Sequence, residues 1–168
     1  SGISWNNEIL VIDNRFISER VNQLRNWGID FIHGDILDKD LVSRHCKDAD
    51  IVHHLAGITD VPRVKNDSNI EKDSKIKLVG EEGTQNILDA ISDKCKIIFP
   101  STHVVYEGIR KVKNDIAEEE ETNPILSYAS SKANNEKQII ESGKNYIILR
   151  LGSVYGYSTD TARIDIMP

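Results

Sequence analysis

Lys96-Ile-Ile-Phe99, followed at once by Pro100-Ser101-Thr102, is a brief apolar run that ends in two hydroxyl residues, and its reading decides the fold. A run this short, bounded by polar chain, suits a strand buried on both faces, as strands of parallel sheets are. Working outward, runs of the same kind recur at Glu8-Ile-Leu-Val-Ile-Asp13, Asp30-Phe-Ile-His33, Ala49-Asp-Ile-Val-His-His-Leu55 and Tyr146-Ile-Ile-Leu-Arg-Leu151. Amphipathic stretches separate them. Phe16, Val21, Leu24 and Trp27 form an apolar stripe on a short helix, stopped by Gly28 where a left-handed C-cap is wanted. Asp38 caps a helix that runs to Cys46. Ile76, Val79, Gly83, Ile87 and Ile91 recur at helical spacing and mark a long helix with one buried face. A last helix covers Ser127 to Ser142 and ends at Gly143. The alternation predicts an α/β fold, a parallel sheet with helices on both faces. Between Thr59 and Asn69 the chain is polar with one proline, so a loop is expected at the carboxyl end of the third strand, where open α/β sheets place their ligands.

The bulk properties narrow the function classes. The 168 residues are enough for one domain, 1–168, with a real core. A formal net charge of −6, with both signs interspersed, offers no basic face to nucleic acid or to an anionic membrane. The run Glu118 to Glu121 reads as a solvated loop. Two cysteines, Cys46 and Cys95, lie outside any paired spacing and read as buried thiols in a reducing compartment. Ser1 to Glu8 has neither a basic nor an apolar leader pattern, and no apolar run approaches a bilayer's thickness, so a cytoplasmic protein is expected. His53 and His54 suggest a metal site only superficially: adjacent strand residues face opposite ways, and no third ligand stands at suitable spacing. No metal is expected.

Tyr128-Ala-Ser-Ser-Lys132 carries the chemistry. Four residues apart on a helix, the phenol and the ammonium share one face about one turn from each other. An unperturbed tyrosine ionises near pH 10. To accept a proton at neutral pH it needs a neighbouring positive charge, and Lys132 is placed to supply one. By itself the pair reads more readily as a half-buried tyrosine and a solvent lysine on an ordinary helix.

Its context is more specific. Pro100-Ser-Thr-His-Val-Val-Tyr-Glu-Gly108 resembles the "S-S-x-x-V-Y-G" segment of the NAD-dependent epimerase/dehydratases, the extended short-chain dehydrogenase/reductases. Further matches are Asp13-Asn14, Gly34-Asp35-Ile36, His54-Leu-Ala-Gly57, Gly83-Thr84 and Leu149-Arg150 through Tyr155-Gly156, in the family's order across nearly the whole chain. The resemblance implies a Rossmann-like sheet and catalysis by Tyr128, Lys132 and Thr102, with Thr102 steadying the reacting oxygen. It also implies NAD: Asp13 at the adenosine ribose hydroxyls with Asn14 beside it among the cofactor-binding residues, Asp35 and Ile36 flanking the adenine, Leu55, Ala56 and Gly57 letting backbone approach, and Tyr128 and Lys132 at the nicotinamide end. The charge of Asp13 disfavours a 2′-phosphate, although Arg15 lies close by. Ser101, Thr102 and Ser153 fall on the substrate side. The implied substrate is a nucleotide sugar and the implied assembly a homodimer.

Departures from the pattern carry their own expectations. Gly80 stands where relatives have the asparagine of "N-x-x-G-T", and Ser153 replaces that of "N-x-Y-G". After Thr102, His103 and Val104 replace the Asp-Glu pair of the 4,6-dehydratases, which disfavours dehydration. Nothing matches the family's glycine-rich first strand, which is central in the usual strand order, nor its smaller substrate domain. A partial domain missing its first strand is therefore expected, with a gap between the runs at Glu8–Asp13 and Ala49–Leu55. The resemblance thus points to sugar-nucleotide epimerisation, or a related dehydrogenase or reductase reaction, in the complete protein and to little activity in the isolated chain. The competing expectation is a non-catalytic binding module or an inactive fragment.

Overall fold

The computed structural model describes residues 7–59, 69–110 and 113–153. In order, the elements are β1 (Leu10–Asp13), α1 (Ser18–Asn26), β2 (Asp30–His33), α2 (Lys39–Cys46), β3 (Ile51–His53), α3 (Ile70–Ala90), β4 (Lys96–Thr102), a 3₁₀ turn (His103–Tyr106), α4 (Ser127–Glu141) and β5 (Asn145–Leu151). All strand pairs are parallel, and the fold is a Rossmann-like α/β arrangement. The strands form two groups, β1-β2 and β3-β4-β5. Among the described residues no strand joins β1 to β3, so the expected gap is present. The expected long loop and the Tyr155-Gly156 match lie, for the most part, outside the described residues.

The core gathers Val42 of α2, Ile87 and Leu88 of α3, Ile97 and Phe99 of β4, and Ile139 of α4, with Ile91 and Cys95 beside them. Phe99, Ile97 and Ile139 are essentially inaccessible. Two glycines set how closely the elements approach. A Cβ on Gly83 would come 2.8 Å from Cγ2 of Ile36, and one on Gly80 would collide with the Ser131 hydroxyl on α4. The position that departs from the family's asparagine is thus a helix crossing. There Asn135 of α4 reaches back, its Nδ2 donating to the Gly80 carbonyl at 2.8 Å.

The caps follow their sequence signals. Asp38 accepts from the Leu41 N–H, Asn69 accepts from the Glu71 N–H and starts α3 earlier than the apolar stripe alone indicates, and Gly28 and Gly143 hold φ of +72° and +68° past the ends of α1 and α4.

Three expectations are corrected. Of the α1 stripe only Val21 is fully buried; Phe16 and Trp27 are 54% and 65% exposed, because α1 is a short helix against β2 and Phe16 instead packs edge-on against Phe31 and His33. Cys95 is buried, but Cys46, in the last turn of α2, is only half-buried. The strand expected to stop at Phe99 continues through Pro100 to Thr102, paired with Leu149 to Leu151 of β5. Proline is tolerated because Ile98 is the last β4 residue paired with β3: its carbonyl takes the His54 N–H, and two residues later Pro100 faces that same side beyond the partner's end.

Candidate active site

The longer β4 is what builds the site. Its carboxyl end delivers Pro100, Ser101 and Thr102 to a cleft of about 240 Å³, whose other walls are Leu55 and Thr59 after β3, Tyr128 and Lys132 of α4, and Leu151 and Gly152 at the end of β5. The three residues read as catalytic, together with Ser101, therefore share one cleft. Ser153 lies just outside, exposed on the chain leaving β5.

Three polar groups of the cleft have defined surroundings. Lys132 Nζ donates to the Pro100 carbonyl at 2.8 Å and sits 4.3 Å from the centre of the Phe99 ring. Burial pulls the Lys132 ammonium down to about 8, with the Glu136 carboxylate acting in the opposite sense. Thr102 Oγ1 accepts the Val104 N–H at 3.3 Å, capping the 3₁₀ turn, which leaves its hydroxyl hydrogen for another partner. Ser101 is 4% exposed, and its hydroxyl has no partner among the described residues. Ser101 lines the cleft while its Oγ lies out of contact with solvent, a buried hydroxyl whose hydrogen-bonding capacity the described residues leave unused.

A buried polar chain lies behind the cleft. His54 Nε2 meets Thr84 Oγ1 at 2.9 Å, and Thr84 Oγ1 accepts from Asn135 Nδ2 at 2.8 Å. Burial holds His54 down to about 3, assisted by the Lys132 charge, so its ring is neutral at physiological pH. The sequence reading missed a second feature: Arg150 of β5 grips Glu136 of α4 through Nε at 3.2 Å and Nη2 at 2.7 Å, while Nη1 donates to the Tyr106 hydroxyl and to the Glu118 carbonyl at 2.7 Å. Glu136 is only 3% exposed. Its spacing of four from Lys132 is the signal that was available. The acidic run is mostly solvated as read, yet the backbone of Glu118 is engaged.

The residues read as holding adenosine form a separate cluster at the carboxyl ends of β1 and β2. Asp13 Oδ1 accepts the Arg15 N–H at 2.8 Å, and Asn14 Nδ2 donates to Asp35 Oδ2 at 3.1 Å. The Leu37 N–H and Asn14 hold the Asp35 carboxyl below the usual carboxylate range. Ile36 turns its side chain toward Gly83, and its carbonyl accepts from Asn86. After β3, Leu55, Ala56 and Gly57 are exposed, with no atom of the described residues within 4 Å of where a Gly57 Cβ would point. An acidic residue at a strand's carboxyl end, an open glycine turn and an orphaned hydroxyl beside an ammonium fit the polar groups of a dinucleotide. Among the described residues no three His, Cys, Asp or Glu side chains cluster as metal ligands, and no described helix is long and apolar enough to cross a membrane.

Comparison with known proteins agrees with this arrangement. The model of the NAD dependent epimerase/dehydratase family matches residues 4–167. A 3β-hydroxysteroid dehydrogenase/decarboxylase, isoform 2, of Arabidopsis thaliana is 30% identical over 143 residues, covering 79% of this chain and 24% of that protein. Among solved structures, UDP-glucose 4-epimerase of Brucella ovis with NAD is 25% identical at a TM-score of 0.68, over 92% of this chain and 54% of that one. UDP-glucuronic acid 4-epimerase of Bacillus cereus, with UDP-glucuronic acid and NAD, is 26% identical at a TM-score of 0.69, over 89% and 49%. The chain thus spans about a quarter of the curated relative and about half of these solved chains.

Proposed function

This chain belongs to the NAD dependent epimerase/dehydratase family, and from that premise we propose that it carries the proton-transfer half of a site oxidising a secondary alcohol, the carbinol of a nucleotide-linked sugar. The observation that carries the reading is the meeting of Ser101, Thr102, Tyr128 and Lys132 in one cleft, with the ammonium fixed by the Pro100 carbonyl. NAD, when bound, supplies the hydride acceptor.

The chain's own residues handle the proton. Lys132, held as an ammonium, favours the Tyr128 phenolate, which takes the hydroxyl proton as the C–H bond yields its hydride and the C=O bond forms. Thr102 donates its hydroxyl hydrogen to the reacting oxygen, and Ser101 offers its unpaired hydroxyl beside it. Asp13 and Asn14 are assigned to the ribose hydroxyls, Asp35 and Ile36 to the adenine, and the exposed backbone of Leu55, Ala56 and Gly57 to the phosphate-bearing stretch. Return of hydride to the opposite face of the ketone gives an epimer; release of ketone gives a dehydrogenase. We assign residues 1–168 to a partial cofactor domain of a cytosolic, homodimeric enzyme, a setting that the two free thiols Cys46 and Cys95 suit.

A second substrate reading has its own support. The Arabidopsis relative is named for a 3β-hydroxysteroid, also a secondary alcohol, and the same four residues would serve it. Incubating the complete protein with NAD and either UDP-glucose, UDP-glucuronic acid or a 3β-hydroxysteroid, while recording NADH absorbance and the products, separates the readings. The proposal expects NADH or an epimer from the UDP-sugars. Steroid oxidation alone would move the assignment to the second class. Neither product in a protein that binds NAD would leave the non-catalytic binding module as the better description.

A further inference from the structure

We propose that Glu107 is a positioning residue that fixes the first turn of α4, and with it the Tyr128 phenol, against the Thr102 end of β4. The inference rests on the reading of Tyr128 as proton acceptor. α4 starts without help from its own sequence: Leu126, its N-cap residue, has no side chain able to cap, and the first turn carries no acidic residue. Glu107, from a distant segment, instead holds the chain as it enters the helix, at the N-cap residue and the one before it. Its Oε1 takes the Ile125 N–H at 2.6 Å and the Leu126 N–H at 2.5 Å. Both are charge-assisted bonds, placed where the helix's partial positive charge favours an anion.

The link is short and stiff at both ends. Gly108 N–H donates to the Asn123 carbonyl at 2.8 Å, Asn123 Nδ2 returns a bond to the Gly108 carbonyl at 3.0 Å, and the Asn123 N–H bonds the Val105 carbonyl at 2.9 Å. A side chain at Gly108 would collide with the Asn123 carbonyl. On the other side, fully buried Val105 anchors the 3₁₀ turn that Thr102 itself caps. Thr102 therefore reaches Tyr128 through one turn, one carboxylate and the two amides it binds. Misplacing reacting groups by about 1 Å can cost on the order of 100-fold in rate, so this linkage bears on catalysis and not only on folding.

The test follows the Tyr128 phenol by NMR in protein labelled at the tyrosine ring carbon, its signal assigned with Tyr128→Phe, beside far-ultraviolet circular dichroism to establish folding. Wild type should show Tyr128 ionising at lower pH than the remaining tyrosines. Glu107→Ala should move that titration back toward them and lower kcat by roughly 100-fold with KM little changed; Glu107→Gln, which keeps an acceptor oxygen, should restore most of both. If Glu107→Ala does not fold, Glu107→Asp decides, since the shorter acid cannot hold both N–H groups and should give a smaller shift of the same sign. A folded Glu107→Ala or Glu107→Asp protein with the wild-type titration overturns this proposal alone. An unshifted Tyr128 in wild type overturns the proton-acceptor reading, and this proposal with it.

Discussion

The Lys132 ammonium is tied by a 2.8 Å hydrogen bond to the carbonyl of Pro100, two residues before Thr102 on the same strand. α4 and β4 thereby share one charge at the point where their reactive side chains meet. Because burial holds Lys132 near 8, the ammonium is lost on raising the pH through that value, earlier than for a solvent lysine. NMR of Nζ-labelled lysine should show one side chain with a midpoint near 8. Glu136→Gln removes the charge favouring the ammonium and should move that midpoint lower still; an unchanged midpoint would show that Glu136 does not act on it.

The grip of Arg150 on Glu136 joins α4, β5, the 3₁₀ turn and the chain at Glu118. Removing one member of a buried pair leaves an uncompensated charge and typically costs about 3–5 kcal/mol. Arg150→Met should lower unfolding free energy by that order in urea denaturation, whereas pairing it with Glu136→Leu should recover most of the loss. Equal stability of the single and double variants would contradict the account.

His54 gives a pH dependence of definite sign. Its folded value, near 3, lies below the unfolded value of about 6.5, so between these limits the unfolded chain binds more protons. Stability from this group is complete above about pH 6.5 and is lost as the pH falls toward 3. His54→Gln should show a shallower decline of unfolding free energy than wild type over that window in denaturant titrations. Parallel declines would mean that another group carries the acid sensitivity.

At the α3–α4 crossing, Gly80→Ala sets a methyl group against the Ser131 hydroxyl. Overpacking of this kind costs about 1–3 kcal/mol, offset in part by alanine's better helix propensity of up to about 1 kcal/mol. Gly80→Ala should therefore lower Tm, and adding Ser131→Ala, which removes the obstructing oxygen, should restore it; a double variant no better than the single one would place the strain elsewhere.

The fold was legible because local signals and tertiary structure agree along most of the chain. Asp38, Gly28 and Gly143 mark helix ends by their own chemistry, and the apolar runs are strands. Helical spacing put Tyr128 and Lys132 on one face, while the roles expected of them and of Ser101 and Thr102 came from the family resemblance. What the sequence hid depends on distant partners. Pro100 looks like a strand breaker until β3 is seen to stop short of it. Glu107 looks like a loop acid until the chain returns at Ile125 and Leu126, and Gly80 looks like a lost asparagine until Ser131 and Asn135 fill its place.

The decisive measurement is turnover of a Tyr128→Phe variant of the complete protein beside its affinity for NAD, since this change deletes the proton-accepting oxygen and little else. The account expects kcat to fall on the order of 100- to 10,000-fold, as loss of general acid–base catalysis does, with NAD affinity nearly unchanged. Turnover at the wild-type rate would contradict it.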